Sequence, residues 1–133
     1  MANEKILVID DDPDLVEVIR LTLKASGFQV FSAANSIDGL AKVKEINPDL
    51  IILDVMMDYT TEGFQVSLKL RNPDPASEYA EYRDIPILML TAIHNTTPLR
   101  FEPEGDYLPV DSFAEKPLEP GELVKKVEEL LGN

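Results

Sequence analysis

The chain has 133 residues, a length that fits one domain with a single hydrophobic core. Its 25 acidic and 12 basic residues give a net charge of −13, which predicts protein partners and disfavours nucleic acid or an anionic membrane surface. No apolar run approaches the ~20 residues that a bilayer span requires. The N-terminus lacks an apolar signal core and the sequence lacks cysteine, so we expect a cytoplasmic protein.

Short apolar runs alternate along the chain with segments of helical periodicity. This alternation predicts an α/β domain built from βαβ units, with parallel strands joined by helices. The strand candidates are residues 5–9, 28–33, 50–54, 87–91 and 113–115.

Capping residues and apolar spacing predict three helices. The first begins with Asp12 as N-cap and Pro13 as its first helical residue, and it stops at Gly27. The second runs from Ser36 as cap to about Ile46, and the last runs from about Pro120 to Leu131. The apolar positions expected to be buried are Leu15, Val18, Ile19 and Leu23, then Ile37, Leu40, Ala41 and Val43, and finally Leu123, Val124, Val127, Leu130 and Leu131.

Three segments are less regular. Residues 64–70 alternate in polarity as a strand would, but we predict a helix there because a right-handed crossover between parallel strands needs one. Residues 72–84 contain two prolines and predict a surface extension with a short helical turn from Ala76. Prolines at 98, 103 and 109 break any long helix, so a proline-rich loop is expected in place of a fourth helix.

Acidic residues follow two of the predicted strands directly. Asp10, Asp11 and Asp12 come after residues 6–9, and Asp54 comes after residues 50–53. Ligands of open parallel sheets bind in the crevice outside the carboxyl ends of the strands, so these carboxylates are expected to converge. Negative charges crowded in a partly dry cleft repel one another, and a divalent cation is the simplest way to hold them together. The pattern therefore predicts a magnesium site.

Four blocks of the sequence stand out, in this order: Ile-Leu-Val-Ile-Asp-Asp-Asp-Pro at 6–13, Pro-Asp-Leu-Ile-Ile-Leu-Asp-Val-Met-Met at 48–57, Ile-Pro-Ile-Leu-Met-Leu-Thr-Ala at 85–92 and Glu-Lys-Pro at 115–117. Taken together, they resemble the receiver domain of two-component response regulators. The resemblance spans the chain, so residues 1–133 are expected to form one receiver domain. It implies a flavodoxin-like, doubly wound, five-stranded parallel sheet with strand order 2-1-3-4-5.

The resemblance also implies a phosphoacceptor and its metal ligands. Asp54 resembles the carboxylate that takes a phosphoryl group from a phosphohistidine of a sensor histidine kinase or a histidine phosphotransfer protein. Asp11 resembles the direct Mg²⁺ ligand, Asp10 its neighbour acting through water, and the backbone carbonyl of Met56 a further oxygen ligand.

Further roles fall on later residues. Receiver domains contact the phosphoryl oxygens through a hydroxyl, a backbone N–H and an ammonium group. The residues that resemble these are Thr91, Ala92 and Lys116, respectively. Thr91 and Phe113 occupy the positions of the family's conformational switch, which signals to a downstream protein target. The resemblance implies no enzyme activity beyond the domain's own phosphorylation and slow dephosphorylation.

Other interpretations of the same residues remain. Asp12 fits a helix cap better than a metal ligand because Pro13 follows it. Phe113 could be ordinary core packing, and altered loops after Asp54 suggest a pseudo-receiver that binds partners without phosphorylation. A Mg²⁺-dependent phosphohydrolase is disfavoured because no Asp stands two residues after Asp54 as a general acid.

Overall fold

The structure is a computed structural model that describes residues 4–54, 69–70, 74, 76–82, 84–91, 112–115 and 119–132. The strands are β1 (Lys5–Ile9), β2 (Gln29–Ala33), β3 (Leu50–Asp54), β4 (Ile87–Thr91) and β5 (Ser112–Glu115). The helices are α1 (Pro13–Ala25), α2 (Ser36–Ile46) and α3 (Pro120–Leu131), with a short 3-10 helix at Ala80–Tyr82.

The strands form one parallel sheet in the order β2-β1-β3-β4-β5. The chain leaves β1 to form β2 on one side and then returns to form β3 on the other, so the strand order reverses between β1 and β3. In this fold class that reversal marks the ligand crevice. The predicted flavodoxin-like parallel sheet is confirmed, although β2 and β5 begin one residue away from their predicted starts.

Helix α1 forms where capping chemistry and apolar spacing agree. The Asp12 side chain accepts hydrogen bonds from the backbone N–H groups of Asp14 (3.0 Å) and Leu15 (3.4 Å), which confirms Asp12 as the N-cap. Ile19 and Leu23 are buried as predicted. Val18 is 48% exposed, so its predicted burial is wrong: it lies on the flank of the helix, beside the stripe that faces the core.

Helix α2 differs from its prediction at two points. The N-cap is Asn35, whose side chain accepts a 2.8 Å hydrogen bond from the backbone N–H of Asp38, and Ser36 is already helical. Asn35 takes this role because its extended backbone and side-chain oxygen satisfy a donor of the first turn. Leu40 and Val43 are buried, but Ile37 is 79% exposed and Ala41 is exposed, so the expected burial of those two residues is wrong.

The core has two layers, one on each face of the sheet. Side chains alternate along each strand, so Ile6 and Val8 pack with α1 and α3 while Leu7 and Ile9 pack with α2. In α3, Leu123 and Val127 are buried and Val124, Leu130 and Leu131 are partly buried, as predicted. Helices therefore cover both faces and leave the carboxyl ends of the strands as one edge of the molecule.

Part of the predicted surface extension packs against the α2 side of the core. Tyr79 and Tyr82 contact the apolar cluster there. Lys44 of α2 pairs with Glu78 and lies 4.8 Å from the centre of the Tyr79 ring. The hydrogen bond from Lys44 to Glu78 raises the pKa of the Lys44 ammonium. These contacts place Glu78, Tyr79 and Tyr82 against α2 and the core, whereas the sequence predicted a surface extension.

Two predictions fall largely on residues that the structure does not describe. Of the helix predicted at 64–70, Lys69 and Leu70 are helical and the rest lies outside the described residues. The proline-rich loop expected in place of a fourth helix also lies outside them and stays a prediction. Among the described helices, none combines the length and apolar character needed to cross a membrane.

Candidate metal centre

The register of the two central strands brings the predicted acidic residues together. Strands β1 and β3 are adjacent and parallel, and Ile9 stands opposite Leu53. The next residue of each chain segment is acidic, so Asp10 and Asp54 emerge side by side at the same edge of the sheet. Two apolar strands in this register are therefore enough to build the centre of the site.

Three carboxylates meet at this edge. One oxygen from each of Asp10, Asp11 and Asp54 can be chosen so that all lie within 4.8 Å of one another. Asp10 and Asp54 are each only 2% exposed, and Asp11 is half-buried. Asp12 is exposed and caps α1, which confirms its interpretation as a cap.

Backbone contacts hold Asp10 in place. Its N–H donates a 3.0 Å hydrogen bond to the carbonyl of Ala33 at the end of β2. Its side-chain Oδ1 accepts a 3.0 Å hydrogen bond from the N–H of Asp12. Support of Asp10 by the Ala33 carbonyl was not predicted from the sequence. The second predicted strand ends at the same edge of the sheet, and that position was the available signal.

The donor set fits a hard divalent cation. Unit charges at 4.8 Å, the largest separation among the three chosen oxygens, repel by about 3 kcal/mol per pair at an effective dielectric constant of 20. Mg²⁺ prefers oxygen ligands and is commonly bound through a few carboxylates while retaining water. Asp10 and Asp11 offer such oxygens from the end of β1, and Asp54 offers one from the end of β3. The site is therefore suited to Mg²⁺.

The remaining predicted residues are placed only by their backbones or not at all. Leu90 stands opposite Asp54, and Thr91 follows it as the last residue of β4. Phe113 lies in β5 beside Met89 of β4. The register therefore brings the Thr91 backbone to the acidic edge. Met56, Ala92 and Lys116 lie outside the described residues, and their roles stay predictions.

Comparisons with known proteins identify the family. The family model "Response regulator receiver domain" matches residues 6–128. The chain is 33% identical over 127 residues to the DNA-binding dual master transcriptional regulator RpaA of Synechocystis sp., covering 96% of this chain and 48% of that protein. It is 34% identical over 130 residues to the alkaline phosphatase synthesis transcriptional regulatory protein PhoP of Bacillus subtilis, covering 97% and 49%.

A solved structure agrees with this assignment. The chemotaxis response regulator CheY4 of Vibrio cholerae has a TM-score of 0.79 and 30% identity, over 96% of this chain and 98% of that one. The chain belongs to the response regulator receiver domain family of two-component systems.

The comparisons correct one prediction. The expectation that nucleic acid plays no part is wrong, because RpaA and the response regulator MtrA of Mycolicibacterium smegmatis are named as DNA-binding proteins. The chain spans about half the length of these curated relatives. Net charge failed as a criterion because DNA is bound by local basic surfaces, and the average charge of one segment does not describe them.

Proposed function

We propose that residues 1–133 form a receiver domain whose Asp54 accepts a phosphoryl group from a phosphohistidine of a sensor histidine kinase or a histidine phosphotransfer protein. The observation that carries this proposal is the convergence of Asp10, Asp11 and Asp54 in a chain of the receiver family. Asp54 ends β3, where its carboxylate is held at the edge of the sheet by a buried apolar strand.

The transfer needs one bond to form and one to break. An oxygen of Asp54 bonds to phosphorus while the phosphorus–nitrogen bond of the donor histidine breaks, and its electron pair stays on the imidazole nitrogen. Asp10 and Asp11, with the Met56 carbonyl, would hold Mg²⁺ beside Asp54. When bound, the ion offsets the negative charge on the transferring phosphoryl group.

Other residues would contact the phosphoryl oxygens and report the modification. Thr91, at the end of β4 next to the strand of Asp54, would donate its hydroxyl, with the Ala92 N–H and the Lys116 ammonium as further donors. The movement of Thr91 would be coupled to Phe113 on β5, changing the surface that signals onward. The domain promotes its own phosphorylation and slow dephosphorylation and turns over no other substrate.

Incubation with acetyl phosphate and Mg²⁺, followed by intact mass measurement, tests the proposal. The wild type should gain one phosphoryl group, while Asp54→Asn should gain none because the amide is not a comparable nucleophile. Asp12→Asn is the matched control: it changes an acidic residue two positions from Asp10, and asparagine caps helices as well as aspartate does. It should be phosphorylated like the wild type.

Each other outcome points to a different function. An unmodified wild type that still binds its partners would indicate a pseudo-receiver. Continuous release of phosphate from many phosphate esters would indicate a phosphohydrolase. The first result contradicts phosphoacceptor function at Asp54, and the second contradicts a receiver that holds the phosphoryl group as a signal.

The phosphorylated form is expected to lose phosphate slowly. In receivers, the residues two beyond the phosphoacceptor and two beyond the threonine admit or orient the attacking water. Here these are Met56 and Ile93, both apolar and both outside the described residues. The double substitution Met56→Asn with Ile93→Glu should accelerate dephosphorylation about tenfold, a fraction of what positioned acid–base groups contribute. Decay of the phosphoprotein mass peak measures the rate, and an unchanged rate would refute the expectation.

A further inference from the structure

Helix α2 touches strand β1 directly at Gly39. A Cβ atom built on Gly39 would lie 2.5 Å from Cδ1, 2.9 Å from Cγ1 and 3.2 Å from Cγ2 of Ile9. Real Cβ atoms essentially never approach another heavy atom as closely as the first two distances. The space that a side chain at position 39 would need is therefore filled by Ile9.

Ile9 is adjacent to the acidic site both along the chain and across the sheet. It precedes Asp10 in the chain, and in the sheet it stands between Ala33 of β2 and Leu53 of β3. The backbone N–H of Asp10 donates a hydrogen bond to the carbonyl of Ala33. Leu53 directly precedes Asp54 in the chain. A displacement of Ile9 would thus act on the segment that fixes both buried carboxylates.

Ile9 has little room to give way. Its side chain is fully buried in the cluster that also contains Leu40 and Leu53. Branching at Cβ restricts its χ1 rotation, so the Cγ1 and Cγ2 contacts cannot both be relieved by turning the side chain. In a close-packed interior the strain of an added methyl group passes to side chains and backbone nearby.

We propose that Gly39 and Ile9 form a complementary pair that positions Asp10 for metal binding. The absence of a side chain at position 39 lets α2 close on Ile9, and that contact sets where β1 ends and where Asp10 stands relative to Asp54. Gly39 is thus a positioning residue that touches neither metal nor phosphate. The inference rests on the proposed Mg²⁺ site. It adds that a residue of α2 positions a metal ligand through its contact with β1.

Titration with Mn²⁺ alone, followed by the electron paramagnetic resonance signal of the free ion, tests the proposal at a temperature where circular dichroism shows every variant folded. Mn²⁺ takes the oxygen ligands and octahedral geometry of Mg²⁺. Gly39→Ala should weaken binding roughly tenfold, the lower end of what misplacing a metal ligand through its supporting residues costs.

The matched control is Gly121→Ala on α3. Gly121 is also a helical glycine, but a Cβ there meets nothing within 4 Å. This variant should bind Mn²⁺ like the wild type. Val127→Ala removes fully buried side-chain atoms on the other face of the sheet, so it lowers stability and should leave Mn²⁺ affinity unchanged.

The rescue variant separates positioning from general destabilisation. Ile9→Val removes Cδ1, the atom nearest to the added Cβ, and leaves the 2.9 Å contact with Cγ1. Ile9→Val with Gly39→Ala should therefore recover part of the lost Mn²⁺ affinity, to about threefold below the wild type, as expected for coupled neighbours. If Gly39→Ala alone does not fold, the double variant still tests the proposal, because the proposal requires that variant to fold and to bind Mn²⁺.

The outcomes also separate this inference from the proposed function. A wild type that binds no Mn²⁺, or an Asp54→Asn variant that binds it equally well, overturns the metal site itself. A wild type that binds, with Gly39→Ala equal to it, overturns only the positioning role. Equal loss in Gly39→Ala and the double variant would also overturn it, since relief of the contact would then have no effect.

Discussion

Asp54→Asn is expected to make the metal-free protein more stable and to remove most of the stabilisation that Mg²⁺ gives the wild type. Asp54 lies within 4.8 Å of both Asp10 and Asp11, so its charge takes part in two of the three repulsive pairs. Each pair is worth about 3 kcal/mol at an effective dielectric constant of 20. After losses from altered hydrogen bonding, we expect a net gain of about 1–3 kcal/mol.

Mg²⁺ should stabilise the two proteins by different amounts. Mg²⁺ at 100 times its dissociation constant should stabilise the wild type by about 2.7 kcal/mol. The variant lacks one ligand and should gain much less. Urea unfolding in EDTA and in excess Mg²⁺ measures both effects.

Asp12→Asn is the control for this comparison. Asp12 is exposed and caps α1, and asparagine preserves the cap, so its stability should change by less than about 0.5 kcal/mol in either buffer. An Asp54→Asn protein less stable than the wild type in EDTA would show that repulsion does not dominate the site. An unchanged Mg²⁺ increment would show that Asp54 is not a ligand.

The second large effect is expected from Leu40→Ala on α2. Leu40 is 6% exposed and packs against the sheet in the cluster that includes Ile9. Truncation should lower the free energy of unfolding by about 2–4 kcal/mol, because it removes buried apolar contacts and leaves a cavity. Urea denaturation of the metal-free protein measures the loss.

Ile37→Ala is the matched control for Leu40→Ala, three residues earlier on the same helix. Ile37 is 79% exposed, and alanine has the higher helix propensity, so the change should be within about 0.5 kcal/mol of zero. Similar losses for the two variants would mean that α2 is rotated relative to the sheet and that Ile37 is buried.

Local chemistry made much of this fold predictable. Asp12 before Pro13, and Asn47 before Pro48, are strong boundary signals, and the structure places an N-cap at the first and a left-handed C-cap at the second. The buried strands were visible as continuous apolar runs, which is typical of parallel sheets covered on both faces.

The rotation of the helices was not predictable at the same level. Val18 and Ile37 are apolar residues at helical spacing, yet both are exposed. Helical periodicity defines a broad apolar stripe, and tertiary packing decides which edge of that stripe faces the core. The predicted N-cap of α2 was Ser36, and the observed one is the preceding residue, Asn35. Sequence alone did not separate them because both residue types cap helices.

The acidic cluster was predictable and its support was not. Asp10, Asp11 and Asp54 could be grouped because parallel strands end at one edge. The fit of Gly39 against Ile9 depends on distances of a few tenths of an ångström between a helix and a sheet, which no residue pattern encodes. Net charge was a poor guide to nucleic acid, since it averages over this chain, which spans about half the length of the DNA-binding relatives.

The position of the phosphoryl group is the most direct test of phosphoacceptor function. Borohydride reduces an aspartyl phosphate to homoserine, so the protein can be phosphorylated with acetyl phosphate and Mg²⁺, reduced, digested and sequenced by tandem mass spectrometry. Homoserine is expected at position 54 and at no other aspartate, and it should be absent when EDTA replaces Mg²⁺. Homoserine at another position, or at none under conditions where the wild type is folded, would contradict the assignment of Asp54.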